Sequence, residues 1–302
     1  MRTVRIEALA AEIRAGPRPI AVLAGAGVSR SAGVQTGQDL IGRLARRRGA
    51  NPGRDPVAWY LTATGGFPDY FGMVQDSGTV RDRGTVRDSG TVRDRGTVRD
   101  SGTVRDPGGV RNPGGVRDAP ASEALPGELY ERPAPAPAHQ AIARLVAAGW
   151  AGPILTTNLD RLLELALGRA GLSVEAAFDL DAMARVKLDE PVLIKVHGDY
   201  RNIGIRHTAR APHTYHPVID TLLDRVFAGF DLLVCGWSAS WDLPLGDALR
   251  RTTGRRVFWL QCGPPSHAAE RIFEIRKPSI ASVTSSDAGL TALSTILLDQ
   301  ER

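Results

Sequence analysis

The sequence predicts an α/β fold built on a doubly wound parallel sheet. Three observations support this: apolar runs bounded by turn residues, helical patterns between several of them, and glycine or polar residues where the runs end. The runs are almost continuously apolar, as expected for strands buried on both faces of a parallel sheet. The predicted strands are PIAVLAG (19–25), PILTT (153–157), PVLIKVHG (191–198), DLLVCGW (231–237), RRVFWLQC (255–262) and the less apolar SIASVTSS (279–286).

Helical periodicity fills several of the intervals between these runs. After PILTT, the segment LDRLLELALGRAG places Leu159, Leu162, Leu163 and Leu167 on one side of a helix. Gly171 follows where that helix would stop. A Pro-rich segment leads into a second helix, AHQAIARLVAAG, and the N-terminal MRTVRIEALAAEIRAG has the pattern of an amphipathic helix.

Composition narrows the class of protein. The chain has 302 residues, 42% hydrophobic and 24% charged, as is ordinary for a globular domain, and its longest apolar stretches are strand-sized or broken by charges. We therefore expect no membrane span, and, because the N-terminus does not resemble a signal peptide, a cytoplasmic location. The net charge of +5 falls to +2 when residues 77–118 are set aside, which argues against nucleic-acid binding by the core.

Two cysteines, Cys235 and Cys262, stand at the ends of predicted strands. Two thiols cannot supply a four-cysteine zinc site, and a disulfide is not expected in a reducing compartment. We therefore expect buried free thiols and no bound metal.

Residues 77–118 are seven tandem hexapeptides, from SGTVRD to PGGVRD. A hexapeptide period can form a β-helix, but each rung here offers one valine, which is too little apolar surface to offset the ordering of the chain. We expect a disordered insertion without a catalytic role. The flanking segments 38–75 and 119–138 are expected to form a helical or irregular cover over the strand ends.

Four strand ends carry the residues that suggest a site. Gly25, Ala26, Gly27 and Ser29 follow the first strand, Thr157, Asn158 and Asp160 the second, His197 the third, and Gly236 and Ser238 the fourth. Ligands bind at the carboxyl ends of the strands in sheets of this kind, and backbone amides at helix N-termini attract phosphate. Four such ends together favour a nucleotide crevice.

Each residue also has a structural explanation. The glycines suit a tight turn between strand and helix, and Asn158 could be an N-cap followed by a first-turn acid. His197 could be a structural histidine in a turn, and Ser240 or Asp242 could cap the next helix ahead of Pro244.

Five motifs, GAGVSRSAG, PAHQAIARL, TTNLD, KVHGDY and CGWSASWD, together resemble those of the sirtuin (silent-information-regulator) superfamily. They span about residues 19–262, apart from the repeat. The resemblance implies a single NAD-binding domain over residues 1–302 with a Rossmann-type sheet. It also implies cleavage of the nicotinamide–ribose bond of NAD.

The resemblance assigns roles to the strand-end residues. Asn158 would contact the ribose of the nicotinamide half, and His197 would act as general base on a ribose hydroxyl or on water. The remaining residues would bind the cofactor: Gly25, Ala26, Gly27 and Ser29 on the pyrophosphate side, Asp160 at the nicotinamide pocket, Gly236 and Ser238 on the adenosine half, and Thr157 as a further contact. His139, in PAHQAIARL, would be a packing residue.

Two departures from the family pattern refine the expected activity. GVQTGQDL stands where the deacetylases carry Pro-Asp-Phe-Arg, and two cysteines cannot form their zinc module. The chain is more similar to the zinc-free branch found in bacterial antiphage defence, which implies an NAD+ hydrolase without zinc, as a homo-oligomer or with a defence-system partner protein. The alternatives are an ADP-ribosyltransferase or protein deacylase using the same NAD site, a non-catalytic sensor of NAD or ADP-ribose, and an inert scaffold.

Overall fold

The computed structural model describes residues 2–53, 56–64, 134–200, 214–240 and 242–299. The hexapeptide repeat lies outside these residues, as do residues 54–55, 65–75 and 119–133 of the expected cover region. Within them, no helix is both long and apolar enough to cross a membrane.

The described residues contain an eight-stranded sheet in which every neighbouring pair of strands is parallel. The strands are β1 (Arg2–Val4), β2 (Ile20–Ala24), β3 (Ala151–Thr156), β4 (Glu175–Ala177), β5 (Val192–Lys195), β6 (Leu232–Cys235), β7 (Val257–Cys262) and β8 (Ser279–Val283). Their spatial order is β1-β8-β7-β6-β2-β3-β5-β4. The central strand β2 therefore lies between β3 and β6, where the direction of winding reverses.

Helices cover both faces of this sheet. They are α1 (Ile6–Arg14), α2 (Gly37–Arg47), α3 (Pro56–Thr64), α4 (Pro137–Ala147), α5 (Leu162–Arg169), α6 (Leu180–Arg185), α7 (Pro217–Gly229), α8 (Leu243–Arg251), α9 (His267–Arg276) and α10 (Ser286–Asp299). A short 3-10 helix, Ala26–Val28, follows β2.

Two apolar cores lie on opposite faces of the sheet. Helices α1, α4, α5 and α10 supply buried side chains to one core, for example Ile13, Ile142 and Leu293. Helices α6, α7, α8 and α9 supply the other, for example Leu223 and Phe273. The doubly wound, Rossmann-type parallel sheet expected from the sequence is thereby confirmed.

The structure differs from the predicted elements at three places. Arg2–Val4 forms an edge strand paired with β8, so the prediction of a helix from the first residue was wrong there, and α1 begins only at Ile6. Glu175–Ala177 is a further edge strand that sequence reasoning missed, because three residues that are mostly not buried carry no apolar run. Helix α5 begins at Leu162, so Leu159 packs from the preceding loop.

The reversal of winding at β2 positions the site. The connection after β2 runs through α4 on one face to β3, whereas β6, on the other side of β2, is reached through α7 on the opposite face. The loops after β2 and after its neighbours therefore turn toward opposite faces of the sheet. This opens a crevice at the carboxyl ends of these strands, which is where ligands bind in this architecture.

Candidate functional site

A cavity of about 1090 Å³ opens at the carboxyl ends of the strands. Eight of the ten residues selected from the sequence line it: Ala26, Gly27, Thr157, Asn158, Asp160, His197, Gly236 and Ser238. Gly25 and Ser29 are not on its wall. The two residues expected to be catalytic, Asn158 and His197, therefore face one cavity from the adjacent strands β3 and β5.

The loops after β2 and β6 pack backbone against backbone, and their glycines make this possible. A Cβ atom added at Gly25 would lie 2.5 Å from the carbonyl oxygen of Gly236, and one at Gly27 would lie 2.8 Å from the Cα of Gly236. Gly236 has φ +63°, and a Cβ there would lie 2.7 Å from the amide nitrogen of Val28. These three glycines are required for contact between the loops, as well as for any approach of a ligand.

Most amides of the first glycine loop are already used within the protein. The amide of Gly25 donates to Cys235 O, that of Gly27 to Gly236 O, and that of Ser29 to Ala26 O. A phosphate at this loop would therefore depend on other groups. Arg30 is the single arginine or lysine among the described residues on the cavity wall, and its exposed guanidinium contacts Asp39 at 3.1 Å.

Ser29 lies behind the cavity wall, fully buried, and its hydroxyl connects three side chains. It donates to Asp160 Oδ2 at 2.8 Å and accepts from Asn158 Nδ2 at 3.0 Å. Its third partner is His139 Nε2 at 3.0 Å, and because His139 Nδ1 accepts the amide of Ala136, Nε2 carries the proton and donates. Ser29 thus fixes the orientation of Asn158 and Asp160 from behind.

His139 is packed as the sequence analysis expected, with none of its surface exposed. Burial lowers the pKa of its imidazole, an effect opposed by the charges of Asp160 and Asp287. It is therefore a neutral hydrogen-bond donor to Ser29, remote from solvent.

Asn158 is 7% exposed and does not cap α5, so that structural explanation was wrong. The backbone N–H of Asn158 donates to Thr156 Oγ1 at 3.1 Å, and the hydroxyl of Thr156 donates to Ala24 O on the neighbouring strand at 2.9 Å. With Nδ2 bound to Ser29, its Oδ1 is a buried acceptor that has no partner among the described residues. Buried polar atoms in proteins are rarely left without a partner.

Asp160 supports the start of α5. Its Oδ1 accepts the amide of Leu162 at 3.0 Å, while its Oδ2 accepts the hydroxyl of Ser29. The carboxylate is 4% exposed and still reaches the cavity wall. Loop and helix are therefore held together by the residue expected to face nicotinamide.

Lys195, at the end of β5, was not selected from the sequence, yet it is the fully buried cation beneath this loop. Its Nζ donates to the carbonyl of Asp160 at 2.7 Å and contacts the carboxylates of Asp199 at 2.7 Å and Glu164 at 2.9 Å. Charge pairing and hydrogen bonding of this kind offset the cost of burying an ammonium group. The loop between β3 and α5 is thereby anchored to β5.

His197 faces the carboxylate of Asp242, a residue expected from the sequence only as a helix cap. Its Nε2 lies 2.6 Å from Asp242 Oδ2 and 3.2 Å from the hydroxyl of Tyr215, and that hydroxyl also donates to Asp242 Oδ2. Asp242 Oδ1 accepts the amide of Leu245, which confirms it as the N-cap of α8. All three side chains belong to one hydrogen-bonded group at the cavity.

The cavity extends farther than the four strand ends chosen from the sequence. It continues past the ends of β7 and β8, where Gln261, Cys262, Ser266, Ser285 and Asp287 line it. The segments GPPSH and TSSD that follow these strands are rich in glycine, serine or proline. The same strand-end rule, applied to the last two predicted strands, would have found them.

Both cysteines are free thiols, as expected, but only Cys235 is buried. Burial raises the pKa of Cys235 to about 12. The expectation of burial was wrong for Cys262, because β7 ends at the cavity and exposes that side chain. Partial desolvation raises the pKa of Cys262, and the charge of Arg30 opposes this.

Comparison with known proteins shows what this part of the chain is similar to. Residues 153–276 match the model of the SIR2-like domain family. A search of curated proteins finds no match. A solved Sir2 homolog–NAD complex aligns with 14% identity and a TM-score of 0.52, covering 100% of this chain and 97% of that one. A structure from work on the mechanism and regulation of Sir2 enzymes aligns with 13% identity and a TM-score of 0.49, covering 98% of both chains.

At these identities the structural similarity concerns the fold. The family match covers the segment that carries Asn158, His197 and Gly236, and the aligned fold covers the whole chain. Residues 153–276 are therefore similar to a SIR2-like domain, and the fold of the chain is similar to that of the Sir2 homolog.

Proposed function

We propose that the chain is an NAD+ hydrolase, which binds NAD in the cavity at the strand ends and cleaves its nicotinamide–ribose bond. The SIR2-like domain supports a sirtuin-type reaction, and the aligned homolog was solved as an NAD complex. A cavity of about 1090 Å³ slightly exceeds the range of about 300–1,000 Å³ that is usual for ligand pockets, consistent with a ligand as large as a dinucleotide.

One observation carries the proposal. Oδ1 of Asn158 is buried at the cavity without a hydrogen-bond partner among the described residues, while its Nδ2 is held by Ser29. An unsatisfied buried acceptor costs about 1–3 kcal/mol, and a donor from a ligand removes that cost. A ribose hydroxyl supplies such a donor, and an uncharged amide accepts it without adding a charge near the glycosidic bond.

The wall on either side of Asn158 suits the two ends of NAD. Toward the nicotinamide half, Asp160 is held rigidly by Ser29 and the start of α5. Toward the phosphates, Arg30 provides the positive charge, because the amides of Gly25 and Gly27 are bonded within the protein. Gly236 and Ser238 lie across the cavity, where the adenosine half would extend.

Cleavage of this bond does not require a general acid to protonate the leaving group. The bond between ribose C1′ and the pyridinium nitrogen breaks with its electron pair going to nitrogen, so nicotinamide leaves as a neutral molecule. Positive charge develops on the ribose, and orientation of the sugar by Asn158 contributes through geometry. Water adds to C1′ and its proton passes to His197 and then to solvent, which gives ADP-ribose and one released proton.

The hydrogen bonds of His197 to Asp242 and Tyr215 favour a catalytic function over a sensor function. A module that only binds NAD or ADP-ribose has no use for a histidine held in one orientation by a buried carboxylate and a tyrosine hydroxyl. Resemblance to the zinc-free defence branch further supports a role in bacterial antiphage defence through NAD depletion. In that role the enzyme would act in the cytoplasm, as a homo-oligomer or with a partner protein.

Product analysis tests the proposal. Purified protein incubated with NAD in H₂¹⁸O should release nicotinamide and ¹⁸O-labelled ADP-ribose in equal amounts. ADP-ribose attached to protein would indicate transfer instead, and acyl-ADP-ribose formed with an acylated peptide would indicate deacylation. Binding of NAD without release of nicotinamide would leave a sensor and overturn the proposed hydrolysis.

A further inference from the structure

We propose that Asp242 is a positioning residue for His197, which it holds in the Nε2–H tautomer so that Nδ1 is the nitrogen that accepts a proton. This inference rests on the proposed function, because it assumes that His197 is the base. It assigns to Asp242 a role in the reaction beyond capping α8, and it makes Tyr215 part of the same group.

The tautomer follows from the hydrogen bonds at Nε2. Asp242 Oδ2, a carboxylate oxygen 2.6 Å away, can only accept when it is ionised, so the proton between the two lies on Nε2. The hydroxyl of Tyr215 uses its own proton on Asp242 Oδ2 and therefore offers Nε2 a lone pair. Both contacts favour hydrogen on Nε2, and the neutral imidazole then has its basic lone pair on Nδ1.

Asp242 is itself held from two directions, which makes it a rigid partner. Its Oδ1 accepts the amide of Leu245 at 3.1 Å in the first turn of α8, and its Oδ2 accepts from both His197 and Tyr215. The carboxylate is 4% exposed, so these donors replace most of its hydration. Donors that bind the ionised form stabilise it, and the helix N-terminus adds a favourable dipole.

Most of the other charged groups near His197 form ion pairs or hydrogen bonds with other residues. Lys195 and Asp199, two residues before and after it, pair with each other, and Glu164 contacts the same ammonium. Asp160 on the β3–α5 loop is bound to Ser29 and Leu162. Among the described residues, Asp242 is the carboxylate in contact with the imidazole.

The substitution Asp242→Asn separates the two roles of this residue. Asparagine caps helices as well as aspartate, so its Oδ1 can still accept the amide of Leu245. Its Nδ2 would then donate toward Nε2 of His197 and force the proton onto Nδ1, which removes the base. Asp179→Asn is the matched control, because Asp179 caps α6 in the same way, accepts the amide of Ala182 and does not line the cavity.

Two measurements on the full chain test the proposal. For Asp242→Asn, kcat for NAD cleavage at pH 7 should fall by about 10²-fold or more, the usual range of a general base, with KM changed less than about threefold. The ¹⁵N chemical shifts of the His197 ring nitrogens, assigned by their loss in His197→Gln, should change from the pattern of the Nε2–H tautomer to that of the Nδ1–H tautomer. Asp179→Asn should leave both quantities unchanged.

The outcomes separate this inference from the proposed function. An unaltered chain that does not cleave NAD overturns the proposed function and this inference with it. Cleavage that Asp242→Asn leaves within about threefold of the unaltered rate, or unchanged ¹⁵N chemical shifts of the His197 ring, overturns this inference alone. If Asp242→Asn does not fold, Asp242→Ser retains a good N-cap without a carboxylate and is judged by the same two measurements.

Discussion

Asn158 and Ser29, which stand 129 positions apart in the chain, are joined by a hydrogen bond of 3.0 Å from the amide Nδ2 to the hydroxyl Oγ. With Nδ2 bound to Ser29, the acceptor Oδ1 stays buried without a partner among the described residues, on a side chain that lines the cavity. The protein thus orients the amide from behind and leaves one defined atom for a ligand.

Replacing Asn158 or His197 by alanine should abolish NAD turnover while the chain remains folded. Asn158→Ala removes the atom that orients the ribose, and His197→Ala removes the base, each worth about 10²-fold or more in rate. Nicotinamide release measures turnover, and circular dichroism with thermal unfolding checks the fold. Turnover near the unaltered rate in both variants would refute the assigned roles.

Ser29→Ala should destabilise the protein and reduce its affinity for NAD, although Ser29 is not on the cavity wall. The change leaves Asn158 Nδ2, His139 Nε2 and one oxygen of Asp160 without their buried partner. We expect the free energy of unfolding in urea to fall by about 1–3 kcal/mol. Ser31→Ala, at an exposed position two residues away, is the control and should change stability by less than about 0.5 kcal/mol.

Gly236→Ala should destabilise the chain more than Gly254→Ala. Both glycines have positive φ, +63° and +99°, so both variants carry backbone strain of about 1–2 kcal/mol. An added Cβ at Gly254 meets nothing within 4 Å, whereas at Gly236 it lies 2.7 Å from the amide nitrogen of Val28. The difference in unfolding free energy between the variants therefore measures the contact between the β2 and β6 loops, and equal values would mean that the loops can separate freely.

How much the sequence could predict depends on the range of the interaction. Asn158 and His197 were found because each follows a buried apolar run, a local pattern that also places both at the same edge of a parallel sheet. The partners of these residues were not found, since Ser29 and Asp242 act through contacts with side chains 129 and 45 positions away. Ser29 was read as a ligand-facing hydroxyl, because nothing in GAGVSRSAG indicates that its side chain turns toward α4.

The stability of the protein should fall more steeply below pH 6.5 with His139 than without it. Burial lowers the pKa of His139 below its ordinary value of 6.5. Between 6.5 and the lowered pKa the unfolded chain therefore binds a proton that the folded chain does not, so this contribution is complete above about pH 6.5 and is lost as the pH falls.

His139→Gln provides the comparison, because an amide can accept the amide of Ala136 and donate to Ser29 without titrating. Urea unfolding at pH 7.5, 6.0 and 5.0 should show a smaller loss of stability toward pH 5 for the variant than for the unaltered chain. Parallel curves would show that the histidine does not titrate differently in the two states.

Thiol labelling should count one reactive cysteine in the folded chain and two in denaturant. Cys235 is buried and its pKa is raised to about 12, so it supplies almost no thiolate at pH 8, whereas Cys262 is exposed at the cavity.

ADP-ribose at about ten times its dissociation constant should slow alkylation of Cys262 about tenfold, because only the unoccupied fraction reacts. AMP and nicotinamide, added separately, then report which half of the nucleotide covers the end of β7. Since His197→Ala should bind ADP-ribose without turning NAD over, protection in that variant separates binding from catalysis. Alkylation that proceeds at the same rate with and without saturating ADP-ribose would move the nucleotide away from this part of the cavity.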